Sequence, residues 1–134
     1  MIRIAINGFG RIGRNAFKIA FARPDIRIVA INDLADTRTL AHLLKHDSNY
    51  GAYRHDVDFD ERHIIVDGKK IIVTAEREPQ KLPWKKLKID VVIESTGRFV
   101  KGEDASLHIK AGARKVVISA PAKGDDSQVA THVI

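Results

Sequence analysis

Gly8-Phe9-Gly10-Arg11-Ile12-Gly13 fits the pattern G-x-G-x-x-G, whose chemistry is recognition of a diphosphate. Each glycine has a physical task. Gly8 permits a tight turn, Gly10 lets the backbone approach the pyrophosphate, and Gly13 lets a helix pack closely on a strand. The N-terminus of that helix offers free N–H groups and a partial positive charge to the anion. Glycines also make ordinary turns, so the pattern alone is weak. Its context strengthens it: an apolar strand precedes it, a helix follows, and an acid, Asp33, stands twenty residues beyond Gly13 at the end of the next strand.

Asp33 bears on which dinucleotide binds. A carboxylate there accepts hydrogen bonds from the adenosine ribose hydroxyls and repels a 2′-phosphate. Two unit charges about 4 Å apart at an effective dielectric of about 20 repel by about 4 kcal/mol as an upper guide. Arg38 lies close enough in sequence to offset part of this, but the residue after the acid is Leu34 rather than an arginine. The pattern favours NAD over NADP. The competing reading of Asp33 is a helix or turn cap.

Other candidate groups are weaker. Ser95-Thr96-Gly97-Arg98-Phe99 and Ser119-Ala120-Pro121 each leave the end of an apolar strand, where ligands of open α/β sheets bind. Arg77 reads as a surface charge. His42 and His46 have the four-residue spacing of a helical zinc pair, but no third ligand is suggested, so a surface or capping role is expected. Asp56, Asp58, Asp60 and Glu61 read as a solvated acidic loop. No serine–histidine–aspartate arrangement stands out. The absence of cysteine removes disulfides, thiolate metal sites and a thiol nucleophile from this chain. No catalytic residue and no metal site is therefore assigned.

The elements that must position these groups follow from periodicity. Ile2–Ile6 reads as a buried strand, and a helix is expected from Arg11 to Ala22, with Ile12, Ala16, Ile19 and Ala20 on its inner face. Arg23-Pro24 stops it. Ile26–Ile31 is a second strand, and Thr37–Leu44 a second helix with Leu40, Leu43 and Leu44 inward. Ile64-Ile65-Val66 and Ile71-Ile72-Val73 flank Asp67-Gly68, a hairpin signal because both turn residues tolerate positive φ. Glu76–Pro79 reads as a polar loop and Pro83–Leu87 as a short helix with proline in its first turn. Ile89–Glu94 and Lys115–Ala120 are further strands, flanking a helix from Glu103 to Ala111 capped by Gly112. An apolar segment begins at Val129. Apolar strands alternating with amphipathic helices imply a doubly wound, mostly parallel α/β sheet of the Rossmann type with an antiparallel hairpin insertion.

The chain has 134 residues, the scale of one domain of about 150 residues. It is 44% hydrophobic and 30% charged, ordinary for a globular protein. The formal charge of +6 raises nucleic acid as a partner, yet the basic residues are scattered and the densest run, Lys85-Lys86-Leu87-Lys88, holds only three. A solvated face is the expected reading, and nucleic acid is not favoured. No signal-peptide layout and no apolar run near the roughly 18 residues of a membrane span is visible, so a cytoplasmic protein without membrane partners is expected.

The segment Ala5-Ile6-Asn7-Gly8-Phe9-Gly10-Arg11-Ile12-Gly13-Arg14-Asn15 closely resembles the opening of the phosphorylating glyceraldehyde-3-phosphate dehydrogenases. The resemblance continues through Ile31-Asn32-Asp33-Leu34, Leu43–Ser48, Asp67-Gly68-Lys69, Glu76-Arg77-Glu78-Pro79, Glu94–Phe99 and Ile118–Lys123, in the same order. It implies the amino-terminal coenzyme domain of that family. By that resemblance, Arg11 and Ile12 contact the coenzyme pyrophosphate, Asp33 and Arg77 serve the adenosine side, and Ser95, Thr96 and Ser119 lie toward the nicotinamide. The Asp33-Leu34 pair resembles NAD-using rather than NADP-using members. Enzymes of the family oxidise an aldehyde through a thiohemiacetal, pass hydride to NAD and release an acyl phosphate.

The chain departs from the family in length. Family members are more than twice as long, and their nucleophilic cysteine, activating histidine and phosphate-binding residues match nothing here. The resemblance thus leads to the expectation of a coenzyme domain over 1–134 without its last strand and its C-terminal catalytic domain, binding NAD without turnover. An open sheet edge of that kind is a template for association, including homo-oligomers. Erythrose-4-phosphate dehydrogenase shares much of this domain and remains open as the parent activity. A non-enzymatic module that meets RNA or an assembly partner is the competing class.

Overall fold

The computed structural model describes residues 1–46, 55–96 and 102–118, and for 102–105 the backbone alone. Apolar runs form β1 (Ile2–Asn7), β2 (Ile26–Asn32), β6 (Val91–Glu94) and β7 (Lys115–Ile118), while β3 (Val57–Phe59), β4 (His63–Val66) and β5 (Lys69–Thr74) lie between. The helices are α1 (Arg11–Phe21), α2 (Thr37–Lys45) and α3 (Gly102–Lys110). Seven strands make one sheet in the order β3-β4-β5-β2-β1-β6-β7. The five strands from β5 to β7 pair in parallel, and β3-β4-β5 pair antiparallel.

The Rossmann-type expectation holds, with the hairpin insertion at one edge. The hairpin turn is Asp67-Gly68, at φ +50° and +79°, the left-handed pair that matches the twist of two antiparallel strands. Its second strand, β5, is also a member of the parallel sheet, because Ala30–Asn32 of β2 pair with Ile72–Thr74. The insertion is thus built into the sheet rather than appended to it.

Both faces of the sheet are covered, which explains the continuous apolar strands. Ile4, Ile6, Phe17, Leu40, Leu44 and Ile64 belong to one core, under α1 and α2. Ala5, Ala30, Trp84, Val92, Val116 and Ile118 belong to the other. Alternate residues of β1 serve the two cores, as the two-residue period of a strand requires.

Four sequence expectations are corrected. The inner face of α1 is Gly13, Phe17 and Ala20, whereas Ile12 is 43% and Ile19 70% exposed. Both sets have helical spacing. Gly13 decides between them, because it must lie against the Gly8 carbonyl, where a Cβ would collide. In α2, Leu40 and Leu44 face inward with Thr37 and Ala41, but Leu43 is 37% exposed.

Pro83–Leu87 is a run of turns rather than a helix, and the nearest helical turn is a 3-10 turn at Pro79–Lys81. The Lys85 N–H donates to the Ala111 carbonyl at 2.9 Å, so it is engaged outside the segment, and Lys88 adopts φ +56°. The acidic stretch is not simply a solvated loop. Val57–Phe59 is a strand, and the Asp60 carboxylate accepts the Arg62 N–H and lies 2.9 Å from His63 Nδ1, closing the turn into β4.

The expected helix over 103–111 is α3, and Gly112 follows it at φ +118°. The apolar segment from Val129 and the end of the strand at Ser119-Ala120 lie outside the described residues. Among the described residues, no helix is long and apolar enough to cross a membrane.

Candidate dinucleotide site

The sheet order reverses at β1. From β1 the chain moves to β2 and β5 on one side, then returns to β6 and β7 on the other. Crossovers that leave in opposite directions open a crevice at the carboxyl ends of the strands. A groove of about 310 Å³ lies there, lined by Asn7, Gly8, Gly10, Asn32, Asp33, Leu34, Glu76, Arg77, Ser95 and Thr96.

The glycine turn that forms its floor is set by sterics. Gly8 has φ +92°, and a Cβ there would stand 2.8 Å from the Thr96 backbone nitrogen. Gly13 seats α1 against the same turn, beside the Gly8 carbonyl and Ser95 Oγ. Gly10 differs from both, since a Cβ there would meet nothing within 4 Å. It is the N-cap residue of α1, with no side chain to cap the first turn, and that turn holds no acid. The open space at Gly10 therefore lies beside the donor end of the helix.

Asp33 follows the last residue of β2. Its Oδ2 accepts the Phe9 N–H at 2.8 Å and its Oδ1 accepts the Ala35 N–H at 3.0 Å. The capping role weighed for this residue is therefore real, since it ties the glycine loop to the β2–α2 loop. It also lines the groove, and a carboxylate oxygen holding one donor retains capacity for another. On the opposite wall, Ser95 Oγ donates toward the Gly8 carbonyl at 2.7 Å, and Thr96 lies beyond it.

A polar row crosses the sheet at the same level. Thr74, Asn32, Asn7 and Glu94 are register partners in adjacent strands. Thr74 Oγ1 donates to Asn32 Oδ1 at 2.7 Å, Asn32 Nδ2 to Asn7 Oδ1 at 2.7 Å, and Asn7 Nδ2 to Glu94 Oε1 at 2.7 Å. Asn32 also binds both the carbonyl and the N–H of Glu76, which places the Glu76-Arg77 segment at the rim.

The structure brings together Gly8, Gly10, Asp33, Arg77, Ser95 and Thr96. Arg11 and Ile12 are exposed at the start of α1 and do not line the groove, while Gly13 is buried behind it. Ser119 lies outside the described residues. Asn7, Asn32, Glu76 and Glu94 were not singled out from sequence as site residues. For Asn7, Asn32 and Glu94 the one signal is a polar residue closing an apolar strand, and Glu76, two residues past β5, carries none.

His42 and His46 are well separated from this groove. Their rings lie 4.7 Å apart at the surface of α2, and among the described residues no group of three metal-ligating side chains occurs.

Residues 2–102 match the family model for the glyceraldehyde 3-phosphate dehydrogenase NAD binding domain. The chain belongs to that family. Among curated relatives, glyceraldehyde-3-phosphate dehydrogenase of Thermotoga maritima is 59% identical over 131 residues, covering 96% of this chain and 39% of the relative. The enzyme of Geobacillus stearothermophilus is 53% identical over 132 residues, 98% of this chain and 39% of the relative. That of Mycoplasma pneumoniae is 53% identical over 122 residues, 91% and 36%. The chain thus spans about two fifths of the length of these relatives.

The groove at the β1/β6 divergence lies where open α/β sheets generally take their ligands.

Proposed function

We propose that this chain binds NAD across the carboxyl ends of β2, β1 and β6, as the coenzyme-holding part of an NAD-dependent phosphorylating aldehyde dehydrogenase. The observation that carries this reading is Asp33, a fixed carboxylate on the groove wall, beside the uncapped start of α1 at Gly10. These groups suit the two ends of an adenosine diphosphate: an acceptor for the ribose hydroxyls and donors for the diphosphate.

In this reading the backbone around Gly10, Arg11 and Ile12 holds the diphosphate, and the clear space at Gly10 admits it. Asp33 accepts the adenosine ribose hydroxyls and disfavours a 2′-phosphate. Arg77, on the rim beside Glu76, serves the adenosine side. Ser95 and Thr96 serve the nicotinamide half, together with Ser119. When bound, NAD supplies the hydride acceptor. The residues of this chain bind and orient it, and no proton or acyl transfer is assigned to them.

Titration calorimetry with NAD, NADP and AMP tests the reading. NAD should bind more tightly than NADP, and AMP should compete with NAD. Equal affinity for NAD and NADP would defeat the role given to Asp33. Tight RNA binding that falls steeply with salt, without NAD binding that AMP competes, would instead favour a nucleic-acid module.

A further inference from the structure

Glu94 is 1% exposed and lies where two chains of hydrogen-bond donors converge. From the sheet side, Thr74 donates to Asn32, Asn32 to Asn7, and Asn7 to Glu94 Oε1. From the helix side, Trp84 Nε1 lies 3.0 Å from His108 Nδ1, and His108 Nε2 lies 2.7 Å from Glu94 Oε1. Glu94 Oε2 accepts the Thr96 N–H at 3.0 Å and the Thr96 hydroxyl at 2.7 Å.

Donor-only groups settle the polarity at both ends. An indole N–H only donates, so His108 Nδ1 accepts and its proton sits on Nε2, facing Glu94. At the other end the Glu76 N–H donates to Asn32 Oδ1, which orients the Asn32 amide and, through it, the amide of Asn7. The 3.4 Å approach of Asn7 Nδ2 to His108 Nε2 is then a contact between two donors that share one oxygen. Every arm points to the carboxylate.

Resting on the coenzyme reading above, we propose that Glu94 is the positioning residue for the nicotinamide half of the groove, with His108 and Trp84 holding it in place. One oxygen fixes Asn7, the residue before the Gly8 turn, and the other fixes Thr96 on the facing wall. Both walls are thereby referenced to one group. His108 is fully buried, and its bond to Trp84 holds the tautomer that keeps a donor on Glu94. Asp33 makes its own side-chain bonds, to Phe9 and Ala35, and none of them is to Glu94, His108 or Trp84. Loss of the His108 arm therefore bears on the nicotinamide half of the groove and spares the direct contacts of the adenosine half.

The test is calorimetric titration of NAD and AMP into the parent chain, His108→Leu and His108→Gln. Glutamine can accept from Trp84 and donate to Glu94, so it preserves the polarity that leucine abolishes. Expected is a roughly tenfold weaker NAD affinity in His108→Leu, the scale of one hydrogen bond to a charged group, with AMP affinity unchanged. His108→Gln should recover most of the loss. Trp84 is the sole tryptophan, so its emission should change in His108→Leu and return toward the parent in His108→Gln.

If His108→Leu fails to fold, Trp84→Phe removes the indole donor while keeping an aromatic ring, and the same split between NAD and AMP is expected. Unchanged NAD affinity, or parallel loss of NAD and AMP, overturns the relay while leaving the coenzyme reading intact. Failure of the parent chain to bind either ligand overturns both.

Discussion

The backbone N–H of Phe9 and the Oδ2 of Asp33 lie 2.8 Å apart, so the residue proposed to read the ribose also pins the middle of the glycine loop. Phe9 is in turn buried edge-on against Phe17 of α1, with ring centroids 5.7 Å apart. Loop, helix and carboxylate are therefore one mechanical unit. A change at Asp33 acts on ligand chemistry and on loop geometry together.

Replacing Asp33 by alanine strands the N–H groups of Phe9 and Ala35. Loss of acceptors for fully buried donors costs about 1–3 kcal/mol, an upper guide for these part-buried bonds. Asp33→Asn keeps an acceptor oxygen for one of the two N–H groups and removes the charge that would repel a 2′-phosphate. The expected outcome is a lower melting temperature for Asp33→Ala and a reduced NAD-over-NADP preference for both variants. Thermal melts and calorimetry with the two coenzymes measure it.

The three glycines should separate cleanly. Gly8→Ala meets the Thr96 backbone and carries φ +92°, a conformation that costs a residue with a Cβ about 1–3 kcal/mol before any collision. It should lose stability and binding together, and Gly13→Ala should do likewise by lifting α1 off the turn. Gly10→Ala enters open space, so stability should change by no more than about 1 kcal/mol, the scale of an N-cap substitution. NAD affinity should nevertheless fall. Retained affinity in Gly10→Ala would show that the diphosphate does not approach there.

Phe17 is fully buried between Phe9 and Phe21. Phe17→Ala should destabilise the domain by about 3–5 kcal/mol, the usual cost of truncating a core phenylalanine. Ile19→Ala, on the exposed side of the same helix, should cost far less. Denaturant melts of the pair check which face of α1 packs on the sheet. Equal losses would contradict the observed rotation of the helix.

Acid should loosen the hairpin edge. A hydrogen bond from His55 and another from the Asp56 N–H hold the Asp67 carboxyl below its ordinary value of 3.8. The Asp60 carboxyl is lowered by the Arg62 N–H and by His63, and that of Asp36 by the Thr39 hydroxyl and N–H. A lowered native value means the stabilisation is complete above pH 3.8 and is lost as pH falls through the native values. Melting temperature should therefore drop below about pH 4. Asp67→Asn keeps the turn conformation but should show a smaller drop. An identical acid profile for parent and variant would remove Asp67 from the account.

Much of the site was legible because its signals are local. The glycine spacing, the acid closing the second strand and the Asp67-Gly68 hairpin each depend on residues a few positions apart, where sterics and hydrogen-bond capacity act within one turn or strand. The apolar runs likewise implied a sheet covered on both faces, and it is.

What only the tertiary structure decided is what lies side by side. Asn32 and Asn7 are 25 residues apart and Asn7 and Glu94 are 87 apart, yet strand register makes them neighbours in one row. A polar residue ending an apolar strand reads the same from sequence whether it starts a loop or joins a buried ladder. The inward face of α1 was ambiguous for a similar reason, since helical spacing allows two faces and contact with the Gly8 turn selects one. Trp84, expected within a helix, is instead held among turns by partners near Ala111 and His108, which only folding brings to it. Local pattern names the chemistry; pairing across the sheet determines which groups act on each other.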